Sequence, residues 1–156
     1  MKQKILILDD DAAILEFLKS ILSGDDRELL LESDGNSALR RIRTDRPNVA
    51  IVDINLPKIS GLDVLREAKK IDPGLSVIIT TGYSSTQFAI EAMKYGAYDY
   101  LTKPFDNNKM ISAVQKAFEC NLLSRKVRYT KDRDQLFEDD FDAVWRVAKP
   151  KLEASM

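Results

Sequence analysis

The sequence predicts an α/β domain built on a doubly wound, five-stranded parallel sheet with helices on both faces. Short apolar runs alternate five times with amphipathic stretches along the chain, which is the pattern of serial strand-helix units. Turn residues separate these units at short intervals. The 156 residues, of which 44% are hydrophobic and 31% charged, suffice for one folded domain.

The first unit predicts a strand at residues 5–8 and a helix at 12–22, whose apolar side chains recur on one face. Further strands are predicted at 29–31, 49–54, 77–80 and 98–101, each followed by an amphipathic stretch. The turn signals that separate the later elements are Asp34-Gly35, Ser60-Gly61, Pro73-Gly74 and Gly96. Residues 5–8 and 49–52 are wholly apolar, so we expect these strands to be covered on both faces.

The fifth helix is expected to start after Asp106 and to run beyond the length that one compact domain needs. We therefore predict a domain at residues 1–122 and a charged helical linker or extension of unknown role at 123–156. The extension carries a second apolar set in helical spacing, Phe137, Phe141, Val144, Trp145 and Ala148. It either packs back on the domain or a symmetry mate, or binds a partner or second copy. On the fourth helix, Phe88 and Met93 are expected in the core.

Composition excludes several classes of protein. The chain has no histidine, which removes Ser-His-Asp triads, Cys-His dyads and histidine zinc sites. One cysteine cannot close an intrachain disulfide, so a reducing cytoplasm is the expected location. No apolar run is long enough for a membrane span. The net charge of -1 offers no basic field for nucleic acid, and we expect no direct nucleic acid or membrane binding.

Polar side chains follow the predicted strands where each strand ends. Strand 1 ends in Asp9-Asp10-Asp11, strand 3 in Asp53, strand 4 in Thr81-Gly82, and strand 5 runs into Lys103-Pro104. Ligands of open parallel sheets bind outside the carboxyl ends of the strands, so these residues are the candidate site. Asp11 is better explained as the N-cap of the first helix than as a ligand.

A cluster of Asp9, Asp10 and Asp53 calls for a cation or for shifted pKa values, because two carboxylates about 4 Å apart repel by roughly 4 kcal/mol at an effective dielectric near 20. Oxygen ligands without histidine favour Mg²⁺, or Mn²⁺, over zinc. None of the six glycines forms a dinucleotide-binding or P-loop pattern, which argues against a nucleotide or flavin site. A carboxylate beside Mg²⁺, a hydroxyl and a lysine can attack phosphorus, and an aspartyl phosphate is the expected product.

The residues that carry this chemistry also carry a family resemblance. Residues 7–11, 52–57 with 60–62, 80–83 and 96–105 together resemble the signatures of a response-regulator receiver domain of two-component systems. Several segments are most similar to receivers of NtrC-like regulators. The resemblance covers about residues 1–122 and implies a flavodoxin-like fold with strand order 2-1-3-4-5.

The resemblance implies a role for each acidic position. Asp53 would be the phosphoacceptor and would attack a phosphohistidine on a sensor histidine kinase or a phosphotransfer protein. Asp10 would coordinate Mg²⁺ directly, Asp9 through water, and the backbone carbonyl of Asn55 would be a further ligand. Asp53 itself would complete the metal site.

It also implies a switch. Lys103 would pair with the phosphoryl group and Thr81 would donate its hydroxyl to it. Tyr100 would turn inward as Thr81 moves, and this would change the face formed by helix 4, strand 5 and helix 5, to control a downstream output or homodimerisation. The Lys103-Pro104 bond would be cis.

Three functions remain open at this stage. The first is the phosphorylation switch, with self-phosphorylation from a phosphodonor and slow autodephosphorylation but no other enzymatic activity. The second is an interaction module that works without phosphorylation. The third is a hydrolase with an aspartyl-phosphate intermediate, which the adjacent Asp9 and Asp10 and the lack of a cap insertion disfavour.

Overall fold

The computed structural model describes residues 2–82 and 85–133. Its strands are β1 (Gln3–Leu8), β2 (Arg27–Glu32), β3 (Val49–Asp53), β4 (Ser76–Thr81) and β5 (Asp99–Thr102). Its helices are α1 (Ala12–Leu22), α2 (Gly35–Asp45), α3 (Gly61–Ile71), α4 (Thr86–Lys94) and α5 (Asn107–Arg133). The strands pair in parallel in the order β2-β1-β3-β4-β5, which confirms the predicted topology.

The helices cover both faces of the sheet because successive side chains of each strand point to opposite sides. Ile5 and Ile7 of β1 pack with α1 and α5, whereas Leu6 and Leu8 pack with α2 and α3. The same alternation holds in β3, where all five residues are buried. The strands expected to be covered on both faces are therefore covered on both faces.

Several helices begin at polar residues that cap them, at the positions predicted from the sequence. The Asp11 carboxylate accepts a hydrogen bond of 2.9 Å from the backbone N–H of Ala13, so Asp11 is the N-cap of α1. The Ser60 hydroxyl accepts one of 3.1 Å from Leu62 at the start of α3. Residue Asp106 precedes α5, as expected.

Helix α4 differs from the prediction. Phe88 and Met93 were expected in the core, but they are 38% and 52% exposed, so that prediction was wrong. The core-facing position of α4 is taken by the small side chain of Ala92, which is fully buried. Because Ala92 is the one residue of α4 that is buried, the large apolar residues of this helix stay at the surface.

A buried polar network holds α5 against the edge of the sheet where the strands begin, opposite their carboxyl ends. The amide of Asn48, just before β3, donates to the side-chain oxygen of Asn121 at 2.8 Å. The amide of Asn121 donates in turn to the carbonyl of Gly74 at 2.8 Å. The guanidinium of Arg125 donates to the carbonyls of Arg46 and Pro47, one turn further along α5. These bonds hold the second half of α5 on the domain.

Helix α5 passes through the predicted boundary at residue 122 without a break and continues to Arg133. The division into 1–122 and 123–156 therefore stays a prediction. The second apolar set, from Phe137 to Ala148, lies outside the described residues.

Candidate functional site

The candidate site lies at the carboxyl edge of the sheet, where parallel register brings four strand ends together. Asp53 is the last residue of β3 and pairs with Thr80, while Thr81 pairs with Thr102 of the neighbouring strand. Asp9 follows β1, and Lys103 follows β5 directly. Positions more than 90 residues apart in sequence thus become neighbours at one edge.

Lys103 lies between two buried carboxylates. Its Nζ is 2.6 Å from Oδ2 of Asp9 and 3.4 Å from Oδ2 of Asp53. Both carboxyl groups are almost entirely shielded from solvent, so these contacts are screened far less than surface pairs. The backbone also holds the lysine, because its N–H donates to the carbonyl of Thr81 at 2.6 Å. The Lys103-Pro104 bond is cis, as the resemblance implied.

The remaining carboxylate oxygens accept hydrogen bonds from the loops that follow the strands. Oδ1 of Asp9 accepts from the backbone N–H of Asp11 at 2.9 Å. Oδ1 of Asp53 accepts from the N–H of Asn55 at 3.3 Å. Each of these two side chains is thus oriented by the residue two positions ahead.

The three predicted acidic ligands form one cluster. Asp9, Asp10 and Asp53 each offer a carboxylate oxygen, and these oxygens lie within 4.8 Å of one another. Asp10 is exposed while the other two are buried, so the cluster is open to solvent on one side. An all-oxygen donor set of this kind fits a hard divalent cation such as Mg²⁺. The carbonyl of Asn55 as a further ligand stays a prediction.

The charges of the site change the pKa values of its members. Burial raises the pKa of the Asp53 carboxyl above its ordinary value, and the charge of Asp9 adds to this effect, while the charge of Lys103 and the hydrogen bonds from Asn55 and Lys103 oppose it without cancelling it. For Lys103, burial lowers the pKa, but the hydrogen bond to Asp9 and the charge of Asp53 outweigh it, so the pKa is raised. Lys103 is therefore a fixed positive charge, and a further positive charge at the site would lower the raised pKa of Asp53.

Gly61 is a site residue whose role sequence reasoning missed, because it was named only as a turn signal and as part of a family signature. A Cβ at this position would collide with the backbone oxygen of Asp53 and would lie 2.6 Å from Cα of Ile54. The N–H of Gly61 donates to the carbonyl of Ile54 at 3.0 Å. The first turn of α3 is thus in direct contact with the backbone that carries Asp53, and only glycine permits this approach.

The two predicted switch residues lie on neighbouring strands and share one face of the sheet. Thr81 is fully buried at the end of β4, and Tyr100 of β5 is partly buried against the core that α3 and α4 cover. Tyr100 pairs with Ile79, two residues before Thr81, so both side chains project towards the same side. Thr81 and Tyr100 therefore project from the same face of the sheet, and their role as a switch stays a prediction.

Comparison with protein families identifies this arrangement. Residues 5–115 match the model of the response regulator receiver domain. The chain belongs to the response regulator receiver family. It is a receiver domain of two-component response regulators, and the general role of this family is that of a phosphorylation switch.

Relatives of known name support the assignment. The chain is 34% identical to the transcriptional regulatory protein ZraR of Escherichia coli K12 over 113 residues, which are 72% of this chain and 26% of ZraR. It is 32% identical over 121 residues to the DNA-binding response regulator MtrA of Mycobacterium tuberculosis H37Rv, covering 78% of this chain and 53% of MtrA. The chain thus spans about a quarter to a half of the lengths of these regulators.

Solved structures agree with the fold. A response regulator receiver domain protein from Clostridium thermocellum is 40% identical, with a TM-score of 0.72, over 77% of this chain and 97% of that one. NtrX from Brucella abortus is 34% identical, with a TM-score of 0.75, over 82% of this chain and 30% of that one. Among the described residues of the present receiver, no helix has the length and apolar character needed to cross a bilayer.

Proposed function

We propose that this receiver accepts a phosphoryl group on Asp53, in a Mg²⁺-dependent reaction, from a phosphohistidine of a sensor histidine kinase or phosphotransfer protein. One observation carries the proposal. Asp53 ends a buried strand inside a cluster of carboxylates, with the ammonium of Lys103 at 3.4 Å. This placement gives a nucleophile, a cation-binding pocket and a fixed positive charge at one point.

The reaction needs an ionised Asp53 carboxylate. One of its oxygens forms a bond to phosphorus, the bond between phosphorus and the imidazole nitrogen breaks, and the nitrogen keeps the electron pair. Asp9, Asp10, Asp53 and the Asn55 carbonyl would hold Mg²⁺, which when bound neutralises charge on the phosphoryl oxygens. Its charge also favours the ionised form of Asp53, whose pKa burial otherwise raises.

Lys103 supplies the second positive charge. Its Nζ already lies close to Asp53, and a small movement away from Asp9 would place it against an oxygen of the transferred group. The raised pKa of Lys103 keeps it protonated throughout the physiological range. The hydroxyl of Thr81 would donate a hydrogen bond to another phosphoryl oxygen.

The signal would leave the site through β4 and β5. Movement of Thr81 towards the phosphoryl group frees space on the side of the sheet towards which Tyr100 projects. Tyr100 would fill this space, and the face formed by α4, β5 and α5 would change shape. This face would then bind a downstream output or a second copy of the chain.

The proposed chemistry is transfer to the receiver itself, followed by slow hydrolysis of the aspartyl phosphate. The substrates are the phosphorylated partner and water, and no other turnover is proposed. The cytoplasm, where a kinase and Mg²⁺ are available, is the proposed location. No nucleic acid binding is proposed for this receiver.

Intact-mass measurement tests the proposal. Incubation with acetyl phosphate and Mg²⁺ should add one phosphoryl group to the chain. Both Asp53→Asn and EDTA should abolish the gain, while Asp25→Asn, an exposed acid remote from the site, should leave it unchanged. No gain under any condition would favour an interaction module that works without phosphorylation. Rapid multiple turnover of acetyl phosphate would favour a hydrolase.

A further inference from the structure

Thr80 is a buried polar residue beside the acidic cluster, and the proposed reaction leaves its hydroxyl unused. Thr80 is 1% exposed and pairs with Asp53 in the parallel register of β3 and β4. No hydrogen bond within residues 2–82 and 85–133 involves its hydroxyl, although every fully shielded polar side-chain atom of that part of the chain has a partner. The hydroxyl oxygen therefore accounts for the small remaining exposure of Thr80. A hydroxyl that is almost buried and has no partner costs free energy on folding.

Thr80, Asp53 and Lys103 project to the same face of the sheet. Successive residues of a strand alternate between the two faces, so residues two positions apart share one face. The backbone N–H of Lys103 still bonds to β4, at the carbonyl of Thr81, so the alternation extends to this lysine. The residues two positions before these three side chains all pack in the core under α1 and α5; they are Ile78, Ile51 and Leu101.

The side chain of Lys103 crosses the end of β4 on this face. Strand β4 lies between β3 and β5, and neighbouring strands are about 4.8 Å apart. Lys103 follows β5, yet its Nζ is 3.4 Å from Oδ2 of Asp53 at the end of β3 and 2.6 Å from Oδ2 of Asp9 after β1. A lysine that reaches these oxygens from β5 has to pass over the last residues of β4, where Thr80 lies.

There is room for Lys103 to move over β4. A Cβ at Gly82, which follows β4, would have no atom of the described residues within 4 Å, apart from its neighbours in the chain. In the order β1-β3-β4-β5, a movement of Nζ away from Asp9 is also a movement towards β4. The turn of Lys103 from Asp9 to a group on Asp53 therefore brings its ammonium closer to Thr80.

We propose that the hydroxyl of Thr80 accepts a hydrogen bond from the ammonium of Lys103 when Lys103 turns from Asp9 to a phosphoryl group on Asp53. Thr80 is then a positioning residue for phosphoryl transfer, and the inference rests on the proposed function. An ammonium has three N–H donors, of which Asp9 and Asp53 engage two in the resting structure. The phosphoryl group and Thr80 provide acceptors for the ammonium after the turn.

This hydrogen bond is absent at rest and forms only as the phosphoryl group arrives. An interaction made in the transition state but not in the resting state lowers the barrier without tightening the binding of the phosphodonor. It also fixes the end of a long and flexible side chain beside the phosphoryl oxygens. Loss of one hydrogen bond to a charged group slows a reaction by about tenfold.

Thr80→Val tests the proposal, because it replaces the hydroxyl with a methyl group of similar size. Mass measurements over time, with acetyl phosphate and Mg²⁺, should show phosphorylation about tenfold slower at saturating acetyl phosphate. The concentration for half-saturation should not change. Thr80→Ser keeps the hydroxyl and should retain most of the parental rate. Thr102→Val makes the same change at an exposed position on β5 and should react as the parent does.

Equilibrium unfolding in urea and EDTA separates this role from a structural one. Because the hydroxyl has no partner in the resting structure, Thr80→Val should unfold at the same urea concentration as the parent or at a higher one. Unfolding of Thr80→Val at clearly lower urea would show that the hydroxyl supports the resting fold. That result would overturn the proposal.

A double-mutant cycle tests whether Thr80 acts through Lys103. In a Lys103→Met background, Thr80→Val should cause no further slowing, because the ammonium that the hydroxyl orients is gone. If Thr80→Val slowed the reaction by the same factor in both backgrounds, the hydroxyl would act without Lys103, and the positioning role would be overturned.

Failure of this inference is distinguishable from failure of the proposed function. A parent chain that gains no phosphoryl group would overturn both. A parent that is phosphorylated, with Thr80→Val reacting at the parental rate, would overturn the role of Thr80 and leave the proposed function standing.

Discussion

Neutralising Asp53, the proposed phosphoacceptor, should stabilise the folded receiver in the absence of divalent ions, although the residue replaced is buried. The perturbation is Asp53→Asn, which keeps the shape of the side chain and removes its charge. The acidic cluster carries three carboxylates against one ammonium. Its members repel one another in the fold and separate on unfolding, so removal of one charge lowers the cost of folding.

The magnitude follows from the distances. The carboxylate oxygens of the cluster lie within 4.8 Å of one another, so at an effective dielectric near 20 Asp9 and Asp10 each repel Asp53 by at least about 3.5 kcal/mol, while the contact of 3.4 Å with Lys103 is worth about 5 kcal/mol. Desolvation of the buried carboxylate costs several kcal/mol more, so the ionised Asp53 side chain lowers the free energy of unfolding on balance. We expect a net gain of about 1 to 2 kcal/mol in the free energy of unfolding. The raised pKa of Asp53 agrees with this expectation, because it shows that the fold disfavours the charged form of the side chain.

Urea unfolding at equilibrium measures this gain. In EDTA at neutral pH, Asp53→Asn should unfold at higher urea than the parent chain, while Asp25→Asn should agree with the parent within about 0.5 kcal/mol. Mg²⁺ at about 100 times its dissociation constant should stabilise the parent by about 2.7 kcal/mol and Asp53→Asn by less, so the difference narrows or reverses. A variant that is less stable than the parent in EDTA would refute this electrostatic reasoning.

The pH dependence has a definite sign. Because the pKa of Asp53 is higher in the folded than in the unfolded chain, the unfolded chain releases this proton first as pH rises. The contribution of Asp53 to the free energy of unfolding therefore declines as pH rises from 3.8, the ordinary pKa of an aspartate, to the raised pKa of the folded chain. Above that pH the contribution is constant. The advantage of Asp53→Asn should grow across that window and vanish below it. If Asp53→Asn were more stable than the parent by the same amount at pH 3 and pH 7, the destabilisation could not be assigned to the charge of this carboxyl.

Further substitutions test other parts of the account. Lys103→Met should slow phosphorylation by acetyl phosphate by a factor of about 10² to 10³, because one positive charge at the transferred group is lost. Stopped-flow or mass measurements at saturating Mg²⁺ would show the change. An unchanged rate would mean that Lys103 takes no part in the reaction. Gly61→Ala should lower the free energy of unfolding by about 1 to 3 kcal/mol and slow phosphorylation, since its Cβ would press on the backbone of Asp53, and a variant with parental stability and rate would disprove the close contact. Asn121→Leu should cost about 1 to 3 kcal/mol in urea unfolding, because the side-chain amide of Asn48 loses its acceptor and the carbonyl of Gly74 loses a donor. Phosphorylation at the opposite edge should be unaffected, and stability equal to that of the parent would show that the network contributes nothing.

The sequence predicted the sheet well because its central strands are short, wholly apolar and separated by turn residues. Residues 5–8 and 49–52 have no polar side chain that could face water, so their burial on both faces follows from composition alone. The candidate site was predictable for a related reason. Parallel strands end at one edge, so the polar residues after each strand had to converge once the strands were placed.

Helix α4 shows where this reasoning fails. Phe88, Ile90 and Met93 are distributed around a helix of nine residues, so apolar spacing does not select the face that meets the sheet. The structure places the small Ala92 there instead. The choice depends on how closely the helix approaches the sheet, which is a tertiary property that local pattern does not contain.

The polar network under α5 was also missed, although one signal was present. Met110, Val114 and Ala117 form the buried stripe of α5, and Asn121 continues it at the same spacing. A polar residue in a core stripe needs a buried partner, and the partner, Asn48, lies 73 positions away. Sequence shows that such a partner is required but not which residue it is. Gly61 is similar, because its contact with the backbone at Asp53 appears only when α3 is placed against β3.

The central claim is that Asp53 itself carries the phosphoryl group, and locating that group tests it most directly. After reaction with acetyl phosphate and Mg²⁺, borohydride reduces an aspartyl phosphate to homoserine, and peptide mass spectrometry finds the position of the reduced residue. We expect homoserine at position 53 and at no other aspartate position. No homoserine should form when EDTA is present during the reaction with acetyl phosphate. Homoserine at Asp9 or Asp10 with Asp53 intact would contradict it.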